Sequence, residues 1–183
     1  ESRLAQLFAE NGPSAGILLP KGEALPLDSI RRRLGFVPSF LEAKATMGKR
    51  VAALLAPEWR TRFEAWDPFD ELLGHFDVKG QLHGRHPVEQ SAYLWTRLAL
   101  PSYVLRMVGD GAEMANSVEG RLPFLDHHFF QAVRDLPLDV KISANIEKPI
   151  LRQVMRPWFP DSVTSRRKQP FLAPPITHVG GRT

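Results

Sequence analysis

Apolar positions recur at helical spacing along most of the chain, and prolines mark where one run gives way to the next. Leu4, Leu7 and Phe8 predict a short first helix, stopped by Asn11-Gly12-Pro13, and the Pro/Gly-rich stretch to Pro26 reads as a loop. Ser39 predicts the cap of a helix with Phe40, Ala43, Met47, Val51, Leu54 and Leu55 on one face, Gly48 being its weak point. Asp67-Pro68 predicts an N-cap followed by proline at the first helical position, for a helix to about His75. Pro87 opens VEQSAYLWTRLAL, whose dense apolar positions predict burial on more than one side. Pro101 is expected to break that helix and open another with Tyr103, Val104, Leu105, Met107 and Val108. Pro149 opens the last clear helix, with Ile150, Leu151, Val154 and Met155, and Pro157 ends it. Strand signals are short and weakly alternating: ILLP near Leu18 and DVKI near Val140. The expected class is mostly α, a packed array punctuated by sixteen prolines, with no internal repeat.

One stretch resists a purely structural reading. In SVEGRLPFLDHHFF, from Ser117 to Phe130, Pro123 disfavours a helical Leu122 and should end any helix carrying Glu119 and Arg121. Asp126 stands where an N-cap belongs, ahead of Phe129, Phe130, Val133 and Leu136 at helical spacing. Local chemistry explains Asp126 and the phenylalanines. It leaves Glu119 and Arg121 without a reason.

Composition narrows the possibilities modestly. The 183 residues fit one domain or a large piece of one, with ordinary contents of 43% hydrophobic and 24% charged residues. No apolar run approaches the roughly 18 residues of a membrane span. The first residues show no secretory signal and no initiator methionine, so a processed or excised segment is expected. With no cysteine there is no disulfide, thiolate metal site or cysteine nucleophile, in keeping with a cytoplasmic location. The net charge of +4 is mild, and only Arg31-Arg32-Arg33 and Arg166-Arg167-Lys168 form tight basic clusters, so nucleic-acid binding is not expected.

Three groups of side chains invite chemistry. His83 and His86 lie three apart and His127-His128 adjoin, but a metal needs convergent ligands, so surface or helix-terminal histidines are expected. His127 and His128 should point to different sides of a helix start. Asp67 and Asp70 form a D-x-x-D pair, which capping and the first-turn preference for acids explain without magnesium. The Arg166-Arg167-Lys168 run, held by Pro170 and Phe171, suits either solvent or a phosphate or oxyanion.

A chain of motifs between Pro87 and Pro174 changes this balance. LPSYVLRMVGDGAEMANSVEGRLPFLDH, LPLDVKI, EKPILRQVM and FPDSVTSRRKQPF occur in an order that resembles the C-terminal part of the asparagine synthase family. Within them stand the family's E-x-R-x-PFLD, K-x-x-L-R and R-x-K patterns; before Pro87 the likeness rests mainly on LGFVPSFLEAKA. The resemblance implies the helical C-terminal half of an adenine-nucleotide α-hydrolase-like (PP-loop ATPase) α/β synthetase domain. It also implies an ATP- and magnesium-dependent amide-forming ligase, which adenylates a carboxylate, aspartate-like in the asparagine-forming branch, before ammonia or an amine attacks. By the same resemblance Lys168 is the catalytic lysine of R-x-K that reaches the intermediate. Arg121, with Glu119 as its acidic partner, and Arg167 fall on the substrate or pyrophosphate side.

Departures from the family pattern bound the expectation. The S-G-G-x-D-S nucleotide loop and the downstream S-G-x-G-x-D-E loop are absent, so upstream ATP-binding and glutaminase regions of a parent protein are implied partners, and the chain by itself is expected to be inactive. The family's aspartate-arginine-x-serine-methionine run stands here as Asp110-Gly111-Ala112-Glu113-Met114: a basic residue is lost and an acid gained. Residues 1–86 are expected to form a helical segment with a loop near 11–26, residues 87–174 the motif-bearing helical core, and residues 175–183 a flexible tail. The segment from Tyr93 to Met114 should expose an apolar face, so that the isolated chain self-associates as a homo-oligomer or melts early. The alternatives are a β-lactam or macrolactam synthetase relative and a non-catalytic helical module that binds a partner through its basic clusters.

Overall fold

The computed structural model describes residues 25, 27–143 and 146–166, and no strand forms among them. The described residues fall into two compact units, one up to Gly120 and one from Arg121 onward. The expected helix at Leu4–Phe8, the loop near 11–26, the ILLP segment and the tail after Phe171 lie outside the described residues.

The first unit contains α1 (Asp28–Leu34), α2 (Ser39–Ala52), α3 (Pro57–Glu64), α4 (Pro68–Gly74), a π-helical turn (Val78–Leu82) and α5 (Pro87–Ala99). A π-helical stretch (Leu100–Asp110) and α6 (Gly111–Ala115) complete it. Its core gathers Leu27 and Ile30 from the start of α1, Leu41 and Ala45 from α2, Leu73 from α4, Leu82, and Leu94 from α5. Burying each leucine or isoleucine contributes about 1.5–3 kcal/mol.

The D-x-x-D pair is structural, as expected. Asp67 Oδ1 accepts the backbone N–H groups of Phe69 and Asp70 at 3.1 and 3.0 Å, capping α4. The same oxygen accepts the hydroxyl of Ser29, a residue only 1% exposed, at 3.1 Å. At the rim of this contact Arg33 Nε donates to Asp70 Oδ1 at 2.8 Å, so α1 and α4 are joined twice. The other buried polar residues are also satisfied: Thr46 by the carbonyl of Glu42, and Gln90 by that of Arg85.

Several expectations needed correction. Ser39 is the first helical residue rather than the cap, because extended Pro38 already offers its carbonyl to the N–H groups of Leu41 and Glu42. On α2 the core takes the stripe of Leu41, Ala45 and Ala52, leaving Met47 and Val51 at 61% and 55% exposure, with Leu54 just past the helix at 86%. Two overlapping apolar stripes satisfy one periodicity, and packing selects between them. On α5 only Gln90 and Leu94 are buried, so one stripe is covered rather than two sides.

Pro101 does not break the helix. In a regular α-helix the Pro101 ring would press on the carbonyl of Arg97, four residues back. The chain instead widens to i→i+5 pairing from Leu100 to Asp110, and the Ser102 hydroxyl bonds to the carbonyl of Leu98. Along this segment and α6, Tyr103, Met107, Val108 and Met114 are all more than half exposed, the apolar face expected there.

The second unit holds a 3₁₀ turn (Pro123–Leu125), α7 (His127–Arg134), α8 (Leu138–Lys141), α9 (Pro149–Met155) and α10 (Asp161–Thr164). Asp126 caps α7 through the N–H groups of His128 and Phe129, at 2.9 and 3.0 Å. The weak strand signal DVKI is instead helical after Pro137, with the Pro137 carbonyl accepting the Lys141 N–H. None of the described residues of this unit is buried, and Trp158 is 79% exposed.

Asp67→Ala should destabilise the chain by about 2–4 kcal/mol, the sum of a lost cap and an orphaned buried hydroxyl. Urea unfolding measures it, and Asp67→Asn, which keeps the acceptor oxygen, should lose less. The hydrogen bond from Arg33 holds the Asp70 carboxyl below its ordinary value, against slight desolvation and aided by the charges of Arg33 and Arg32. Such a group adds stability above its unfolded value of about 3.9 and loses it as pH falls through the lower folded value. Asp70→Asn should therefore flatten the fall of the urea midpoint below about pH 4.

Candidate functional site

Glu119 and Arg121 do not stand on a helix. Helix α6 ends at Ala115, and the chain turns through Ser117 in the left-handed region, at φ 56°. The Glu113 carbonyl accepts the N–H groups of Asn116 and Val118, at 3.1 and 2.9 Å, and the Asn116 side chain donates to the carbonyl of Ala112. The Glu113 carboxylate then reaches forward to accept the N–H of Gly120 at 3.0 Å. One residue thus ties both limbs of the loop. Glu119 and Arg121, on either side of Gly120 in the chain, are exposed.

The two departures in the Asp110–Met114 run acquire physical reasons from this geometry. The N–H of Gly111 bonds to the carbonyl of Arg106, closing the π-helical register. A Cβ at residue 111 would stand 2.9 Å from that carbonyl oxygen, so a side chain there would crowd the widened turn. The acid gained at Glu113 is engaged with the backbone of Gly120 rather than presented as a loose charge.

A second constellation lies in the second unit. Arg152, the arginine of K-x-x-L-R, donates from Nε to the carbonyl of Glu147 at 2.7 Å and from Nη1 to that of Thr164 at 2.6 Å. It anchors the end of α10, two residues before Arg166. Lys148, just ahead of α9, adopts the left-handed conformation at φ 55°, which costs a non-glycine residue about 1–2 kcal/mol. Arg166 is exposed; Arg167 and Lys168 lie outside the described residues.

The histidines hold to the structural reading in part. His86 caps α5, its Nδ1 accepting the N–H of Val88 at 3.3 Å. His127 and His128 do not diverge, for their rings lie 3.8 Å apart between centroids, tilted by 41°. Among the described residues no three potential metal ligands converge. No helix there is long and apolar enough to cross a membrane.

Glu113, Gly120 and Arg152 escaped sequence reasoning as supports of the site. A signal was present for one of them, since an acid is gained at 113. Nothing local relates them.

Comparison with known families matches residues 19–181 to asparagine synthase. An amidase from Penicillium rubens, chyE, is 33% identical over 141 residues, covering 72% of this chain and 21% of the relative. An amidase from Gibberella zeae, chry2, is 31% identical over the same length and coverage. Asparagine synthetase [glutamine-hydrolyzing] 3 of Bacillus subtilis is 38% identical over 69 residues, covering 38% of this chain and 11% of the relative. The chain spans about a fifth of the length of the two amidases, and no solved structure matches it. With a match that runs through both helical units and their motif-bearing loops, the chain belongs to the asparagine synthase family.

Proposed function

We propose that the chain is the C-terminal part of an ATP-dependent, amide-forming ligase. The observation that carries this reading is the family match over residues 19–181, which spans the E-x-R and R-x-K segments. In the proposed reaction a substrate carboxylate oxygen attacks the α-phosphorus of ATP and pyrophosphate leaves. Ammonia or an amine then attacks the acyl carbon, AMP departs, and the nitrogen gives up a proton. Negative charge grows first on phosphorus-bound oxygens and then on the acyl oxygen, and fixed cations stabilise it best where water is excluded.

In this scheme Lys168 stabilises the intermediate, and Arg121, Arg167 and Glu119 act on the pyrophosphate or substrate side, Glu119 as the partner acid of Arg121. The tie from Arg152 to Thr164 supports the assignment of the R-x-K loop, because a cation works as a stabiliser only if its approach is held. The cations of this chain suit phosphate, but its sequence lacks the glycine-rich cradle, and no three carboxylate or imidazole ligands converge among the described residues. The cradle and any magnesium ligands therefore belong, in this reading, to a PP-loop region elsewhere in the parent.

A second reading is favoured by the two amidases that align with 72% of the chain. There the parent acts on an amide other than that of asparagine, and Gly111 in place of arginine is in keeping with a different acceptor. Supplying aspartate, ammonia and ATP to the parent and looking for asparagine separates the two.

Lys168→Ala in the full-length parent should lower ATP–pyrophosphate exchange and amide formation by about 10²–10³-fold. Unchanged product formation would remove Lys168 from the mechanism. Calorimetric titration of this chain alone with magnesium-ATP should show no micromolar binding, since cations without a cradle of backbone donors hold phosphates weakly. Heat release at micromolar ligand would place the nucleotide cradle within this chain.

A further inference from the structure

We infer that Glu113 is a positioning residue for the E-x-R segment and that Gly120 is its obligatory counterpart. The inference rests on the reading above, in which Glu119 and Arg121 act at the site.

The geometry is specific to this pair. Glu113 Oε2 accepts the N–H of Gly120 across seven residues, and the contact is partly buried. A Cβ built on residue 120 would fall on the Glu113 carboxylate itself, so any side chain there must displace it. The Glu113 carbonyl meanwhile takes the N–H groups of Asn116 and Val118, and Asn116 ties back to Ala112. A serine, which the family's run carries at this position, is too short to span the loop as glutamate does. The acid gained and the glycine within E-x-R therefore fit each other as one device.

Its effect falls on the two neighbours of Gly120. Fixing one peptide N–H with a charge-assisted hydrogen bond restricts where the Cα atoms of Glu119 and Arg121 can lie. These residues sit on an irregular loop rather than in a helix. Misplacement of a site residue by about 1 Å can cost on the order of 10²-fold in rate. Glu113 acts through the backbone of Gly120 rather than on a reacting atom.

A double-mutant cycle in the full-length parent tests this, read as ATP–pyrophosphate exchange. Glu113→Ala and Gly120→Ala should each lower kcat/KM by about 10–100-fold. The double variant should be no worse than Glu113→Ala, because the atoms nearest the new methyl group all belong to that carboxylate. Glu113→Gln, which keeps an acceptor oxygen in place, should stay within about tenfold of wild type, as a preserved geometry requires. Additive losses, a fully active Glu113→Ala, or losses that only follow the melting temperature would overturn the positioning role. Amide hydrogen exchange at Gly120 supplies the independent readout: slow in wild type and Glu113→Gln, fast in Glu113→Ala. Fast exchange in wild type would overturn the contact, whatever the parent catalyses. A wild-type parent with no exchange activity would remove both the functional reading and the positioning role, while protection at Gly120 would still report the contact.

Discussion

The first unit depends on a single carboxylate oxygen. Ser29 is buried at the start of α1, where an unpaired hydroxyl would cost about 1–3 kcal/mol. Asp67 Oδ1 answers that need while capping α4 with the same atom. Ile30 and Leu73, neighbours of these polar groups on α1 and α4, are fully buried in the core with Leu82 and Leu94. Moving Asp67 would open the helix end and the helix contact together. The exposed pair of Arg33 and Asp70 adds direction at the rim rather than much energy.

The loops use a related device. In the first unit Glu113 grips the backbone N–H of Gly120, and in the second Arg152 grips the carbonyl of Thr164. Each employs a charged side chain against a backbone group, which gives a stronger hydrogen bond than two neutral partners would. Each also precedes residues that the family resemblance places at the site. An irregular loop has no ladder of its own, so a charged side chain supplies the constraint that regular structure supplies elsewhere.

Two features that look like defects in the sequence become linked in the fold. Proline within a helix and glycine in place of arginine both weaken an α-helix. The widened stretch from Leu100 to Asp110 takes the proline in its first turn, and the glycine at 111 lets the Arg106 carbonyl close the last turn. The apolar side chains of this stretch stay outside the core, with Met107 at 66% exposure.

Signals that act within a few residues were legible from the chain itself. Asp67 with Pro68, Asp126, and the prolines at 87 and 149 all open helices where sequence reasoning placed them, since capping is settled by the local backbone. The ordered motifs likewise carried the family. Tertiary structure decided the rest. Which stripe of α2 is buried depends on what packs against it, because the helix itself is indifferent between two overlapping apolar faces. Whether Pro101 breaks or widens a helix depends on the energetics of a continuous segment, not on the proline alone. The ties from Glu113 to Gly120 and from Arg152 to Thr164 span seven and twelve residues, beyond the reach of any helical or turn period. Periodicity reports which residues share a face; only the folded backbone brings an acid to the one glycine that leaves room for it.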